Sequence, residues 1–169
     1  KVYDIATLGL YSMAYNISFL FIDELKKSVG TVLFPVYSKM QNDKDTFKKT
    51  VLNVGAIIFS ITAPSTIGII LITNDFSNYI IGSEWSSIQD ILVVLAVAGF
   101  FRGILICNMG VFYAMGKPKL NVIQESVRVL VLLIFIWWFS QNYGLLGIGY
   151  TIIISNIASI LLMVVFMNK

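Results

Sequence analysis

The chain of 169 residues is 57% hydrophobic and only 12% charged, with a mean hydropathy of +0.84. Soluble domains are typically about 45–50% apolar and about 25% charged, so this composition argues against a soluble enzyme. The chain has no histidine and one cysteine, which excludes Ser-His-Asp and Cys-His catalytic arrangements, histidine-based zinc sites and an internal disulfide. We therefore expect no catalytic residues, no metal site and no bound cofactor. The net charge of +3, without a basic cluster on one face, gives no indication of nucleic-acid binding.

Five apolar stretches alternate with polar or helix-breaking segments. A transmembrane helix needs roughly 20 apolar residues, and each stretch is long enough. In chain order, the pattern predicts helices over residues 5–37, 51–73, 88–115, 120–139 and 145–167. The predicted fold class is therefore all-α: a polytopic membrane helix bundle with five transmembrane helices.

The basic residues predict an orientation, because Lys and Arg concentrate on the cytoplasmic side of a membrane. Loops 38–50 and 116–119 carry basic residues and Lys169 follows the last helix, whereas the other two loops carry none. We expect these loops and the C-terminus to be cytoplasmic in the inner membrane of a prokaryote. Aromatic residues favour the interface and mark the opposite ends of the helices: Phe76, Tyr79, Trp85, Trp137, Trp138 and Tyr143.

The first helix carries a charged cluster about halfway along its length. Asp23, Glu24 and Lys27 are candidates for a polar cavity, and their i,i+3 and i,i+4 offsets allow pairing with opposite charges. Two interpretations stay open at this point. The helix either breaks here into a short span and an interfacial helix, or it continues and turns the cluster towards a wet cavity.

Arg102 lies near the middle of the third predicted helix, where an ionised side chain costs roughly 2.5–3.5 kcal/mol on insertion scales. Such a residue faces the bundle interior or a wet cavity. An interior ion pair, contact with an anionic substrate, and snorkelling towards the membrane surface are the three interpretations that the sequence allows.

The fourth predicted helix begins with a polar stripe formed by Asn121, Gln124, Glu125 and Arg128. Offsets of 3, 4 and 7 place these residues on one helix face. The stripe is either a solvated helix end with a Glu125–Arg128 pair, or a cytoplasmic vestibule that admits a polar headgroup.

Four segments carry a resemblance to a known family. They are LGLYSMAYN (8–16), VGTVLFPVYSKMQNDKDTFKKT (29–50), IIGSEWSSIQDILVVLAVAGFFRG (80–103) and GKPKL (116–120). In this order they resemble prokaryotic polysaccharide exporters, the Wzx-like flippases of lipid-linked oligosaccharides in the multidrug/oligosaccharidyl-lipid/polysaccharide exporter superfamily. The Leu-Phe-Pro with its basic loop and the Gly-x-x-Trp before the third helix are the more specific parts.

The resemblance implies a two-bundle, MATE-like transporter fold, of which residues 1–169 form a fragment of the second bundle. The implied partners are the lipid bilayer, the remaining helices of a longer chain and an undecaprenyl-diphosphate-linked glycan unit. The implied mechanism is alternating access, with possible coupling to a proton or sodium gradient. Arg102 corresponds to an arginine that recurs after the AVAGFF-like stretch of family members, and the resemblance makes it a candidate for the substrate cavity.

Two other functions compete with a flippase. Multidrug or organic-cation efflux on the same fold would favour acidic residues in the cavity, whereas the midplane charge here is an arginine. A membrane enzyme that modifies glycans is disfavoured, because the sequence offers no histidine and no evident pair of nucleophile and base.

Overall fold

A computed structural model of the protein describes residues 5–75, 88–108 and 110–167. The described residues are helical apart from short turns, which confirms the predicted all-α class. The helices are α1 (Ile5–Met40), α2 (Lys44–Asp75), α3 (Ile88–Ile106), α4 (Val111–Ala114) and α5 (Pro118–Met167). The aromatic residues predicted near the interface in loop 76–87, and Lys169, lie outside the described residues.

Three helical stretches of the described chain are long and apolar enough to cross a membrane: Lys44–Thr73, Gln89–Ala114 and Pro118–Met167. The last of them has 50 residues, about 75 Å of helix, which is enough for two crossings of a core about 30 Å thick. α1 is not among the three stretches. Its 36 residues are long enough to cross, and the charged cluster lies in its middle.

α1 continues through this charged cluster, so the helix does not break there. Lys27 Nζ lies 2.6 Å from Glu24 Oε1 in an i,i+3 pair on the helix surface, and the single proline inside the helix, Pro35, lies further along. The predicted helix 5–37 is therefore found, and it extends to Met40. α2 begins after a short turn, where Asp43 accepts a hydrogen bond from the backbone N–H of Thr46 at 3.1 Å.

The prediction of one helix over residues 88–115 differs from the structure, because α3 ends at Ile106 and only the short α4 follows. Gly110 has a φ of 86°, a left-handed conformation that favours glycine. The backbone of Phe34 also packs against Gly110 so closely that a Cβ there would lie 3.0 Å from the Phe34 Cα. The Tyr37 hydroxyl donates a hydrogen bond to the carbonyl of Cys107 at 3.2 Å, which satisfies an acceptor at the interrupted helix end.

α5 contains both of the last two predicted helices. Residues 140–143, which we expected to be a loop, are helical, and the interruption is confined to Gly144 with φ 60° and ψ −133°. This conformation is not helical, so α5 consists of two helical segments on either side of a kink. The predicted boundary between the two helices is thus correct to within a few residues.

α3 lies at the centre of the bundle and packs against α1, α2 and α5. Small residues let the helices approach closely: a Cβ on Gly103 would lie 2.7 Å from the Thr62 methyl of α2, and one on Gly149 would lie 2.6 Å from a Val94 methyl. A separate buried cluster, which includes Tyr37, Val51 and Phe112, joins the end of α1 to the start of α2 and to α4. Most of the predicted loop 38–50 is helical, since α1 ends at Met40 and α2 begins at Lys44, and these residues lie at the same end of the bundle as residues 116–119.

A cationic cavity between three helices

A cavity of about 240 Å³ opens between α1, α3 and α5. Five predicted site residues line it, brought together from two helices: Arg102, Asn121, Gln124, Glu125 and Arg128. The other lining residues are Lys26, Leu105, Ile106, Asn108 and Asn156. Three cationic side chains thus face the cavity together with one carboxylate, so its wall carries a net positive charge.

Arg102 is half-buried, and its guanidinium lies over an aromatic ring. The guanidinium carbon is 5.5 Å from the centre of the Phe19 ring of α1, a distance at which a cation is attracted to the ring face. In the described part of the chain no carboxylate pairs with Arg102. The arginine therefore keeps donors available at the cavity wall.

Glu125 and Arg128 form the pair that the polar stripe predicts. Nη2 and Nε of Arg128 donate to the same Glu125 oxygen, Oε2, at 2.6 and 2.9 Å. The side chains of Arg128 and Glu125 are 24% and 48% exposed, and ion pairs with this exposure contribute little to stability. The pair orients the Arg128 guanidinium at the cavity mouth.

The charged cluster of α1 contributes to the cavity through a residue that we did not select. Lys26 lines the cavity, whereas Asp23, Glu24 and Lys27 do not. Lys26 follows the buried Ile22 by four residues and so shares its helix face, while the side chains of Glu24 and Lys27 are about two-thirds exposed.

Gln124 links the two segments of α5 on either side of the kink. It also links α5 to the turn that follows α3. Its side chain is buried; Oε1 accepts a hydrogen bond from Asn108 Nδ2 at 2.8 Å, and Nε2 donates to Ser159 Oγ at 3.1 Å. Asn108 lies in the turn that follows α3, and this hydrogen bond joins the turn to α5. This network fixes the position of the polar stripe at the inner wall of the cavity.

Two asparagines in the lining were missed by the sequence analysis. Asn108 and Asn156 are 5% and 0% exposed, and the Oδ1 atom of each has no hydrogen-bond partner among the described residues. Asn156 Nδ2 donates to the backbone carbonyl of Ala98 at 3.1 Å. The signal in the sequence was an asparagine within an apolar run. A search for charged residues alone does not detect it.

The arrangement is suited to binding polar groups rather than to holding a metal. In residues 5–75, 88–108 and 110–167, no three His, Cys, Asp or Glu side chains are placed to hold a metal ion. Guanidinium and ammonium groups bind phosphate oxygens with charge-assisted hydrogen bonds, and unpartnered amide oxygens accept hydrogen bonds from hydroxyl or N–H groups. The cavity can therefore take a ligand that is anionic in one part and rich in donors in another.

A second cavity, an apolar groove of about 250 Å³, lies between α1, α2 and α3. It is lined by Ile17, Phe21, Ser65, Gly68, Ile69, Ile72, Thr73 and Leu92. The two hydroxyl groups in this lining bond to their own helix: Ser65 donates to the Ile61 carbonyl at 2.7 Å and Thr73 donates to the Ile69 carbonyl at 2.6 Å. The groove therefore presents an almost entirely apolar wall.

Comparison with known proteins gives a consistent group of relatives. A family model described as polysaccharide biosynthesis protein matches residues 1–90. The teichuronic acid biosynthesis protein TuaB of Bacillus subtilis is 24% identical over 155 residues, which are 92% of this chain and 32% of the relative. The lipopolysaccharide biosynthesis protein WzxC of Escherichia coli is 26% identical over 121 residues, 72% of this chain and 22% of the relative.

A protein provisionally named as an O-antigen transporter of Shigella flexneri is 27% identical over 126 residues, 71% of this chain and 29% of the relative. The chain thus spans about a third or less of the length of these relatives. No solved structure matches the chain. Its apolar helices and these relatives indicate that it lies in a multi-pass protein of a bacterial cell membrane.

Proposed function

The chain belongs to the polysaccharide biosynthesis protein family, and from this premise we propose that it forms part of a flippase. The flippase moves a lipid-linked oligosaccharide from the inner to the outer leaflet of the cytoplasmic membrane. The observation that carries the proposal is the cavity in which Lys26, Arg102 and Arg128 face the same space. Its net positive wall suits the anionic part of such a cargo.

The cargo has three chemically different parts: an apolar isoprenoid tail, an anionic diphosphate and a hydrophilic glycan. A diphosphate buried without counter-charges would be expensive, whereas paired with arginine it gains bidentate, charge-assisted hydrogen bonds. Arg102 and Arg128 supply these donors from α3 and α5, and Lys26 adds a third cation from α1. The tail stays in the lipid while the headgroup crosses through the cavity.

In this proposal the chain makes five crossings within the second bundle of a two-bundle, MATE-like transporter. α1, α2 and α3 cross once each, and α5 crosses twice with its turn at Gly144. Loops 38–50 and 116–119 are cytoplasmic, as their basic residues predict. Access alternates between the two leaflets, and coupling to an inward proton or sodium gradient stays a prediction.

The charge of the cavity separates the proposal from its closest competitor. A site for an organic cation would place carboxylates towards the ligand, whereas among the described residues this lining holds a single carboxylate, Glu125, which already pairs with Arg128. The cavity therefore favours an anionic cargo over efflux of organic cations.

The test is export of surface polysaccharide by the complete protein carrying Arg102→Ala. We expect export to fall at least tenfold, because a hydrogen bond to a charged group contributes about 1.5–3 kcal/mol and each 1.4 kcal/mol is a factor of ten. Protein abundance in the membrane is measured in parallel. Lys48→Ala is the matched control, because it removes an exposed cation at the start of α2, away from the cavity. Export at the wild-type rate by Arg102→Ala would remove this residue from the proposed site.

A further inference from the structure

The two unpartnered oxygens of the cationic cavity require an explanation. A buried polar atom without a hydrogen bond costs free energy, and such atoms in a folded protein commonly mark the place of a water molecule, ion or ligand. Asn156 Oδ1 and Asn108 Oδ1 are two of the three side-chain atoms in this state in the described part of the chain. Both asparagines line the same cavity.

The orientation of Asn156 is fixed by its partner. The Ala98 carbonyl can only accept a hydrogen bond, so the atom that faces it at 3.1 Å must be the Nδ2 donor. The oxygen of Asn156 is therefore the atom that is left for another partner. It offers lone pairs and no proton, so it requires a donor.

The surrounding charges restrict which donor this can be. A free cation is disfavoured, because Arg102, Arg128 and Lys26 line the same space. A phosphate oxygen is disfavoured too, because it is itself an acceptor. A neutral group with hydroxyl or amide hydrogens satisfies both conditions, and a sugar directly attached to a diphosphate carries such groups beside the anion.

We propose that Asn156 and Asn108 form a sugar subsite in the cationic cavity, in which their carboxamide oxygens accept hydrogen bonds from the first sugar of the lipid-linked cargo. This inference rests on the proposed function, because it takes the diphosphate to lie against the arginines. It divides the cavity into an anion subsite on Arg102 and Arg128, and a donor-selective subsite on the two asparagines.

The experiment measures the affinity of the complete protein in nanodiscs for two probes. One is undecaprenyl diphosphate, and the other is undecaprenyl diphosphate carrying one N-acetylglucosamine. The wild-type protein is expected to bind the sugar-bearing probe about tenfold more tightly, the equivalent of one or two net hydrogen bonds. In Asn156→Leu, which is similar in size and lacks the acceptor, the preference falls to about threefold or less, because the sugar-bearing probe loses more affinity than undecaprenyl diphosphate does.

Thr62→Val is the matched control. Thr62 Oγ1 is the third buried side-chain atom without a partner in the described residues, but Thr62 does not line the cavity. Its replacement removes an unpartnered oxygen without touching the proposed subsite, so the preference for the sugar-bearing probe is expected to stay at about tenfold. Size-exclusion chromatography and thermal unfolding verify that each variant is folded.

The outcomes separate the two proposals. Equal affinities of the wild-type protein for both probes overturn the sugar subsite without any variant, while an undecaprenyl diphosphate affinity that depends on Arg102 still supports the flippase. An Asn156→Leu variant that keeps the tenfold preference also overturns the subsite. A variant that loses affinity for both probes equally shows that Asn156 acts on the cavity as a whole rather than on the sugar, and overturns the subsite as well. Binding of neither probe by the wild-type protein overturns both proposals.

Discussion

The cationic cavity and the apolar groove have nearly the same volume, about 240 and 250 Å³, and share α1 and α3, yet their walls differ in chemistry. Both contain polar side chains. In the groove, the hydroxyls of Ser65 and Thr73 bond to carbonyls of their own helix. In the cavity, Gln124 and Asn156 reach across to other segments, and two carboxamide oxygens stay without a partner in the described chain.

The difference shows that the number of polar residues does not decide what a membrane cavity can recognise. A serine or threonine whose hydroxyl donates to its own helix has no donor left for a ligand. A carboxamide has two N–H donors and an acceptor oxygen. One local carbonyl cannot satisfy all of them, so the carboxamide depends on neighbouring side chains or on a ligand. The cavity therefore offers a polar ligand more hydrogen-bonding groups than the groove does.

The largest expected change in stability comes from the interruption after α3. This interruption supplies Asn108 to the cavity lining and no residue to the groove. Gly110→Ala places a side chain at a left-handed φ of 86° and 3.0 Å from the Phe34 Cα, so we expect a loss of about 2 kcal/mol or more in stability. Gly68→Ala, in the groove lining, meets no atom within 4 Å and should gain about 0.5–1 kcal/mol. Thermal unfolding of both variants in detergent checks the contrast. Similar changes in the two would contradict it.

A smaller effect is expected from the hydrogen bonds that distinguish the two walls. Gln124→Leu leaves Asn108 without its partner, so we expect a loss of about 1–3 kcal/mol in stability. The double variant Asn108→Leu/Gln124→Leu should recover part of this loss, because neither polar partner is then left buried alone. Ser65→Ala, in the groove, should change stability by about 0.5 kcal/mol or less. Thermal unfolding of the three variants measures the differences, and a double variant that is no more stable than Gln124→Leu would contradict the coupling.

The sequence predicted the all-α class and the approximate positions of most helices, because long apolar stretches are a direct requirement of the bilayer. It also predicted that Asn121, Gln124, Glu125 and Arg128 share a face, since helical spacing determines this locally. That Arg102 lies beside this face follows from the packing of α3 against α5, which no local pattern contains. The structure brings these five residues together at one cavity.

The interruption after α3 could not be predicted in the same way. Asn108 and Gly110 lie within an apolar run that is compatible with a continuous helix. The interruption depends on tertiary contacts: the Tyr37 hydroxyl satisfies the Cys107 carbonyl, and the Phe34 backbone fills the space beside Gly110. Both partners come from α1: Tyr37 is 70 residues from Cys107 in the chain, and Phe34 is still further from Gly110. A polar residue within an apolar run, followed by glycine, is the signal that would have drawn attention to it.

The smallest expected effect lies outside both cavities, at the first turn of α2. The Thr46 hydroxyl and backbone N–H donate to the Asp43 carboxylate at 2.7 and 3.1 Å, and these bonds hold the pKa of Asp43 below its ordinary value. Because the folded-state pKa is lowered, the stabilisation is present above the ordinary pKa of about 3.9 and is lost as the pH falls through the lowered value. Hydrogen exchange of the first-turn amides of α2 should therefore become less protected, relative to the rest of α2, on acidification.

Asp43→Asn separates this local effect from the chemistry of the cavity. Asparagine is also a good helix cap, so protection at neutral pH should be close to that of the wild-type protein, but it carries no carboxyl group to titrate. We expect the acid-dependent loss of protection to disappear in this variant. Binding to the cationic cavity should not change, because Asp43 does not line it. The same loss of protection on acidification in Asp43→Asn would show that another group controls the start of α2.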